Sequence, residues 1–133
     1  DLGVIYELCD KVAVMYAGKI AEYGPVDQIF NNPQHPYSVG LLHAIPRVVK
    51  DAKDKRLAVI PGLVPNLIFD LPGCRFHPRC AHAMKICQTE RPELIESANG
   101  VKVACFLYNE EMKAKSPELY EKLSQVQKER YNL

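Results

Sequence analysis

The chain has 133 residues, 47% of them apolar and 25% charged, with 17 basic against 16 acidic side chains and a net charge of +1. That balance excludes intrinsic disorder and leaves no electrostatic footprint for nucleic acid or for an anionic membrane surface. The longest apolar stretch, Leu57 to Leu71, is cut by Pro61, Pro65 and Asp70 and cannot span a bilayer.

In chain order, Leu2, Ile5, Leu8 and Cys9 recur at helical spacing and predict a short amphipathic helix over residues 1–10, with Cys9 as one of its packed residues. Val12 to Tyr16 is a continuous apolar run, the pattern of a strand covered on both faces. Ala17-Gly18 turns the chain, with Gly18 suited to a positive φ, and Lys19 to Tyr23 returns as a more polar, alternating strand. After Gly24, Pro25 is placed to begin a helix to Asn31, because the amide proton it lacks would be unpaired there. Pro36 starts the next helix, through Leu41, Leu42 and Ile45 to a stop at Pro46, and His35 before it reads as a capping or hydrogen-bonded turn histidine. Arg47 to Arg56 reads as a charged, exposed linker, Leu57 to Ile60 as a short strand, and Leu63 to Leu71 as a proline-punctuated extended arm.

Four of the five cysteines, Cys74, Cys80, Cys87 and Cys105, follow the arm; the gaps between them hold five, six and seventeen residues. Asn99-Gly100 reverses the chain into a strand over Val101 to Tyr108, which places Cys105 on a rigid fourth anchor. Four thiolates select soft metals, zinc or an iron–sulfur cluster, over magnesium or calcium. Two disulfides and four buried thiols are the competing readings. No C-x2-C knuckle is present, which disfavours a zinc ribbon, while His77 and His82 keep a mixed zinc site open. Arg75 and Arg79 read as guanidinium donors that offset the charge of the thiolates, with plain solvated surface as the alternative. Cys9 is left out of the site. In the tail, Ser116 and Pro117 predict a capped helix with Leu119, Leu123 and Val126 on one face and Glu118 and Lys122 as a supporting pair; it reads as a packed terminal helix, with partner docking as the alternative.

The opening D-L-G-V-I-Y-E-L-C-D-K-V-A-V-M-Y-A-G-K-I-A-E-Y-G-P, then I-F-N-N-P-Q-H-P-Y, I-P-G-L-V-P and P-G-C-R-F-H-P-R-C, resembles the C-terminal part of an oligopeptide/dipeptide ABC transporter ATP-binding subunit, over about Asp1 to Tyr108. The helical tail over 109–133 lies beyond the resemblance, which implies a mixed α/β fold: a remnant of a nucleotide-binding domain over 1–46 and an accessory domain with the cysteine loop over 47–108. It implies that the arm packs over the accessory region, and that a [4Fe-4S] cluster, rather than zinc, sits on Cys74, Cys80, Cys87 and Cys105. The start at Asp1, without a methionine, reads as a cut just after the family's switch histidine.

No G-x4-G-K-[S/T] loop occurs in the sequence, and no hydrophobic strand ends in an Asp-Glu pair, so the chain itself is expected to hydrolyse no ATP. Through the resemblance its parent binds ATP and magnesium. The implied partners are a second ATP-binding subunit and membrane permease subunits, at the cytoplasmic face of the membrane. The chain alone is expected to self-associate through the strand over 12–16. A free-standing zinc or iron–sulfur protein with a redox-sensing or structural role is the alternative function.

Overall fold

A computed structural model describes residues 2–44, 60–124 and 127–128, and the fold is organised around a hairpin whose second strand becomes the centre of a small antiparallel sheet. Helix α1 (Leu2–Leu8) leads into strands β1 (Lys11–Tyr16) and β2 (Lys19–Pro25), followed by α2 (Val26–Asn31) and α3 (Pro36–His43). Further on come α4 (Lys85–Thr89), β3 (Ile95–Glu96), β4 (Lys102–Val103) and α5 (Glu110–Lys115), with 3-10 turns at His77–Arg79, Phe106–Tyr108 and Pro117–Tyr120. The strand order is β1-β2-β4-β3, every pair antiparallel. One sheet therefore joins residues on either side of position 46. No described helix is long and apolar enough to cross a membrane.

The hairpin turn takes positive φ at both central residues, 47° at Ala17 and 79° at Gly18, the combination whose twist matches the flanking strands. Register then shifts: Met15 faces Ile20 and Val14 faces Glu22, so Ala21 is an extra residue without a partner on β1. A bulge of this kind re-aims the side chains beyond it. Here it accompanies complete burial of Glu22 and leaves the Ala21 carbonyl to accept from Ala104 N–H at 2.9 Å.

β1 is not the doubly covered strand that its composition predicts. Ala13 and Met15 are exposed and only Tyr16 is buried, because β2 is its sole strand neighbour among the described residues. The more polar β2 takes the central place instead. α1 forms, but none of its residues is buried, and Cys9 lies exposed beyond its end rather than packed within it. Pro25 closes β2 and precedes α2 rather than starting it, while Ile29 packs fully.

α3 begins at Pro36 as expected and its last residue is His43. Ile45 and Pro46, the linker over 47–56 and most of the strand over 57–60 lie outside the described residues. The arm after them forms no regular structure, and Leu63, Val64, Leu67, Ile68 and Phe69 stand exposed rather than packed over a neighbour. It is anchored at its ends, where Arg79 donates to the Ile60 and Pro61 carbonyls and Arg91 to the Leu71 carbonyl.

The strand expected over 101–108 is only two residues long. The extended backbone of Cys105 follows it, and Phe106 to Tyr108 close into a 3-10 turn. The tail differs more. Its helix lies earlier, at α5, where the Asn109 side chain caps by accepting from Met112 N–H at 3.1 Å. Ser116 makes no capping bond, and residues 117–120 form only a 3-10 turn. The chain then runs extended beside the cysteine loop: Lys85 N–H donates to Glu121 O at 2.9 Å and Leu123 N–H to Ala83 O at 2.8 Å. Glu121, not Glu118, finds a lysine, Lys85. Val126 lies outside the described residues. The tail is thus a strap with Leu123 buried under it, and burial, not helix propensity, decides its shape.

Two apolar clusters result. Tyr16, Phe76, Cys80, Ala83 and Leu123 form one, and Met84, Ile86, Cys87 and Phe106 the other. Cys74 packs against both. The loop that lacks a helical apolar pattern therefore gains its core from the hairpin tip, the tail and the residues after β4.

Candidate four-thiol centre

The centre is assembled by four short pieces. Gly73 turns with φ of 73°, and Cys74 N–H donates to the Cys87 carbonyl at 2.9 Å, tying the first cysteine to α4. Cys80 follows the turn His77–Arg79, Cys87 sits on α4, and Cys105 comes two residues beyond β4. All four line one small cavity with Phe76, Met84 and Phe106. No disulfide joins them.

Burial pushes each thiol up: Cys74 and Cys105 to about 12, Cys80 to about 11, and Cys87 in the same direction. Like-charge neighbours among the four add to the rise at Cys74, Cys80 and Cys105. Opposing it, backbone N–H groups address the sulfurs: those of Phe76 and His77 at Cys74, of His82 at Cys80 with 3.3 Å between N and Sγ, and of Leu107 at Cys105. Left as thiols these groups are protonated and inert at neutral pH. As thiolates they need a bound cation, with the N–H donors already in place.

Among the described residues no group of three or more His, Cys, Asp or Glu is arranged to hold a metal ion. Neither zinc, mixed sites with His77 or His82 included, nor a cluster thus finds a ready-made ligand group among the described residues. The enclosed space is about 20 Å³, room for one water-sized body. The donor chemistry fits a group bound through four thiolates; the cavity itself is closed around little more than a water.

The remaining predicted residues have definite places. His77 is buried and its Nδ1 lies 2.6 Å from the Cys74 carbonyl, which only accepts, so that nitrogen carries the proton. His82 is an exposed residue at the cavity wall. Neither arginine lines the cavity, contrary to the expectation that they balance thiolates. Arg75 donates to the Ala17 carbonyl of the hairpin turn. Arg79 donates to Tyr16 Oη at 3.2 Å and lies over that ring, besides holding the arm. Both are clamps between segments.

The H-P-Y segment supplies the second wall. Tyr16, Tyr37 and Phe76 pack ring against ring at 4.7, 5.1 and 5.5 Å between centroids, joining hairpin, α3 and cysteine loop. Glu22, which sequence reasoning passed over as one polar residue of an alternating strand, holds this segment. Its carboxylate accepts from Gln34 N–H at 2.9 Å and His35 N–H at 3.1 Å. Nothing in the local pattern distinguishes it from a solvated acid.

His35 is the cap that the sequence predicts: Nδ1 accepts from Tyr37 N–H at 3.0 Å. Burial lowers its pKa to about 4, so it is neutral at pH 7. A proton on Nδ1 would face the Tyr37 donor. The unfolded chain takes that proton near pH 6.5 while the fold resists it to about pH 4, so stability is complete above about 6.5 and is lost as pH falls through this window. The expected loss approaches about 3 kcal/mol. Burial of His77 acts in the same direction. Urea midpoints between pH 7 and 4.5 should therefore fall, and His35→Asn, which keeps a capping oxygen but does not titrate, should flatten part of the slope; an unchanged slope would contradict the assignment.

The family described as oligopeptide/dipeptide transporter, C-terminal region, matches residues 21–87, which include the Glu22 clamp, the H-P-Y segment and three of the four cysteines. A dipeptide transport ATP-binding protein, DppD, of Caldanaerobacter subterraneus is 47% identical over 110 residues, 83% of this chain and 33% of its own. Oligopeptide transport ATP-binding proteins OppD of Salmonella typhimurium and Escherichia coli are 48% and 49% identical over 112 residues, 84% of this chain and 32% of theirs. The chain spans about a third of the length of these curated relatives. On these matches, the chain belongs to the oligopeptide/dipeptide transporter C-terminal region family.

Proposed function

We propose that this chain is the C-terminal accessory and regulatory portion of an ATP-binding subunit that energises import of oligopeptides or dipeptides. The observation that carries this reading is the family match over residues 21–87, beside relatives whose names give them as peptide transport ATP-binding proteins. The sequence holds no phosphate loop, so ATP and magnesium belong to other parts of such a subunit and the chain contributes no hydrolysis of its own. The subunit works with permease subunits and a second ATP-binding subunit, as a peripheral protein on the cytoplasmic side of the membrane. The proposed division is a nucleotide-binding-domain remnant over 1–46, a cysteine-centred accessory domain over 47–108 and a tail over 109–133. The test is the reading frame upstream. It should continue into a G-x4-G-K-[S/T] loop, and the full-length product should bind ATP; a full-length product without nucleotide binding overturns the reading.

The proposal extends to a [4Fe-4S] cluster on Cys74, Cys80, Cys87 and Cys105. Support comes from the convergence of four thiols with backbone donors on one cavity and from the spacing of the four cysteines in the sequence. When bound, such a group cross-links four segments and adds a one-electron redox centre. The chain's own residues contribute burial by Phe76, Met84 and Phe106, which excludes water from the sulfurs, and a rigid frame from the Glu22 clamp and the 121–123 strap.

The chain alone is proposed to self-associate through the side of β1 that has no strand partner among the described residues, an edge bearing exposed Met15. Light scattering should give a mass above that of one chain, and a monomer at high concentration would contradict it.

A further inference from the structure

A second concavity lies between the β1–β2 hairpin and residues 91–94. β2 runs past the last rung that it shares with β4, the Ala104 N–H to Ala21 O bond, so among the described residues Lys19 and Ile20 have a strand on one side only. The groove left there has a volume of about 570 Å³, within the range of sites that hold small organic ligands. Met15, Ile20 and Leu94 line it and remain 58%, 40% and 37% exposed. Three cations, Lys19, Arg75 and Arg91, also line it, and no acidic residue does. Lys19 has no ion-pair partner among the described residues, and the buried Arg75 Nε has no acceptor. Arg91 and, at 3.8 Å, Arg75 both face the carboxylate of Asp70, which is not part of the lining.

An apolar floor, a strand edge with one open side and a rim of three cations against the single carboxylate of Asp70 describe one kind of occupant. We propose that the groove binds the C-terminal end of a short apolar peptide, extended along the open side of Ile20. Its free carboxylate sits among Lys19, Arg75 and Arg91 and its side chains cover Met15, Ile20 and Leu94. Main-chain bonding to a strand edge supplies affinity without sequence preference, and the apolar floor and cationic rim select side chains and the carboxylate. Of the groove's lining, His35, Cys74, Phe76 and Pro92 are shared with the thiol cavity, while the hairpin residues, Arg75, Arg91 and Leu94 are not, so the groove is a separate site. It does not rest on what the thiols carry or on what the chain energises.

The test is an amide-resolved NMR titration of the isotope-labelled full chain with the tripeptide Leu-Leu-Phe, as the free acid and as its C-terminal amide. Expected are saturable shifts confined to residues 15–21, 91–94 and 104, with the amide binding at least about tenfold more weakly because a charge-assisted contact is lost. Lys19→Glu, at an exposed position, should keep a dispersed spectrum and weaken the free acid by about tenfold or more. Absence of shifts at millimolar peptide overturns the proposal. So do equal affinities of acid and amide, an unweakened Lys19→Glu, or shifts mapping instead to the outer edge of β1 or to the arm over 63–69.

Discussion

Gly73→Ala is expected to destabilise the protein by about 3–5 kcal/mol, enough to prevent cooperative folding of a chain of ordinary stability. Two costs combine at this position. The backbone lies in the left-handed region, φ of 73°, which charges a residue with a Cβ about 1–2 kcal/mol. The added carbon would also sit 2.2 Å from the Cys87 carbonyl oxygen and 2.6 Å from the carbonyl carbon of Gln88. Those atoms are backbone at the end of α4, so relief requires α4 to move away from Cys74, breaking the Cys74 N–H bond to Cys87 and opening the thiol cavity. Gly100→Ala is the control. Its φ is 74°, but the nearest atom a Cβ meets is 3.9 Å away, so only the conformational cost of about 1–2 kcal/mol applies. Urea unfolding of both variants checks the difference, and equal losses would show that the close approach at Gly73 is not a constraint.

Glu22→Ala is expected to cost between about 2 and 6 kcal/mol, because two backbone donors lose their acceptor at once. The Gln34 and His35 amides would be left beside a side chain that is completely buried, where water does not replace the carboxylate readily. Glu22→Gln should cost less, since one oxygen still accepts while the amide nitrogen opposes the second donor. The loss should appear as a fall in Tm on the order of 10 °C for the alanine variant. It should also weaken the Tyr16–Tyr37–Phe76 ring cluster, visible as altered near-ultraviolet circular dichroism. An alanine variant of unchanged Tm would mean that the 34–35 turn is held by α3 alone.

These two residues mark where sequence reasoning reached and where it stopped. The Ala17-Gly18 and Asn99-Gly100 turns, the Pro36 start of α3 and the His35 cap are local: a positive φ, a missing amide proton and a ring nitrogen one turn from its donor are written in a few adjacent residues. The grouping of Cys74, Cys80, Cys87 and Cys105 was legible for a related reason, since spacing alone suggested a common site. The misses depend on neighbours distant in the chain. Val12 to Tyr16 is apolar enough for a buried strand, yet its burial is set by whether a second strand lies beside it, and among the described residues only β2 does. Glu22 looks solvated until a bulge and a turn twelve residues away enclose it. Arg75 and Arg79 are drawn not to sulfur but to carbonyl groups presented by the hairpin and the arm. The tail has helical spacing, but the open backbone groups of Ala83 and Lys85 offer it hydrogen bonds as an extended strap, and the burial of Leu123 favours that choice.

The centre on which these segments converge is tested most directly by anaerobic purification, a visible absorption spectrum, and iron, labile sulfide and zinc analysis of the same sample. Brown protein is expected, with iron and labile sulfide at about four of each per chain, both lost in Cys105→Ser. Colourless protein, with zinc or with no metal at all, would contradict a cluster at this centre.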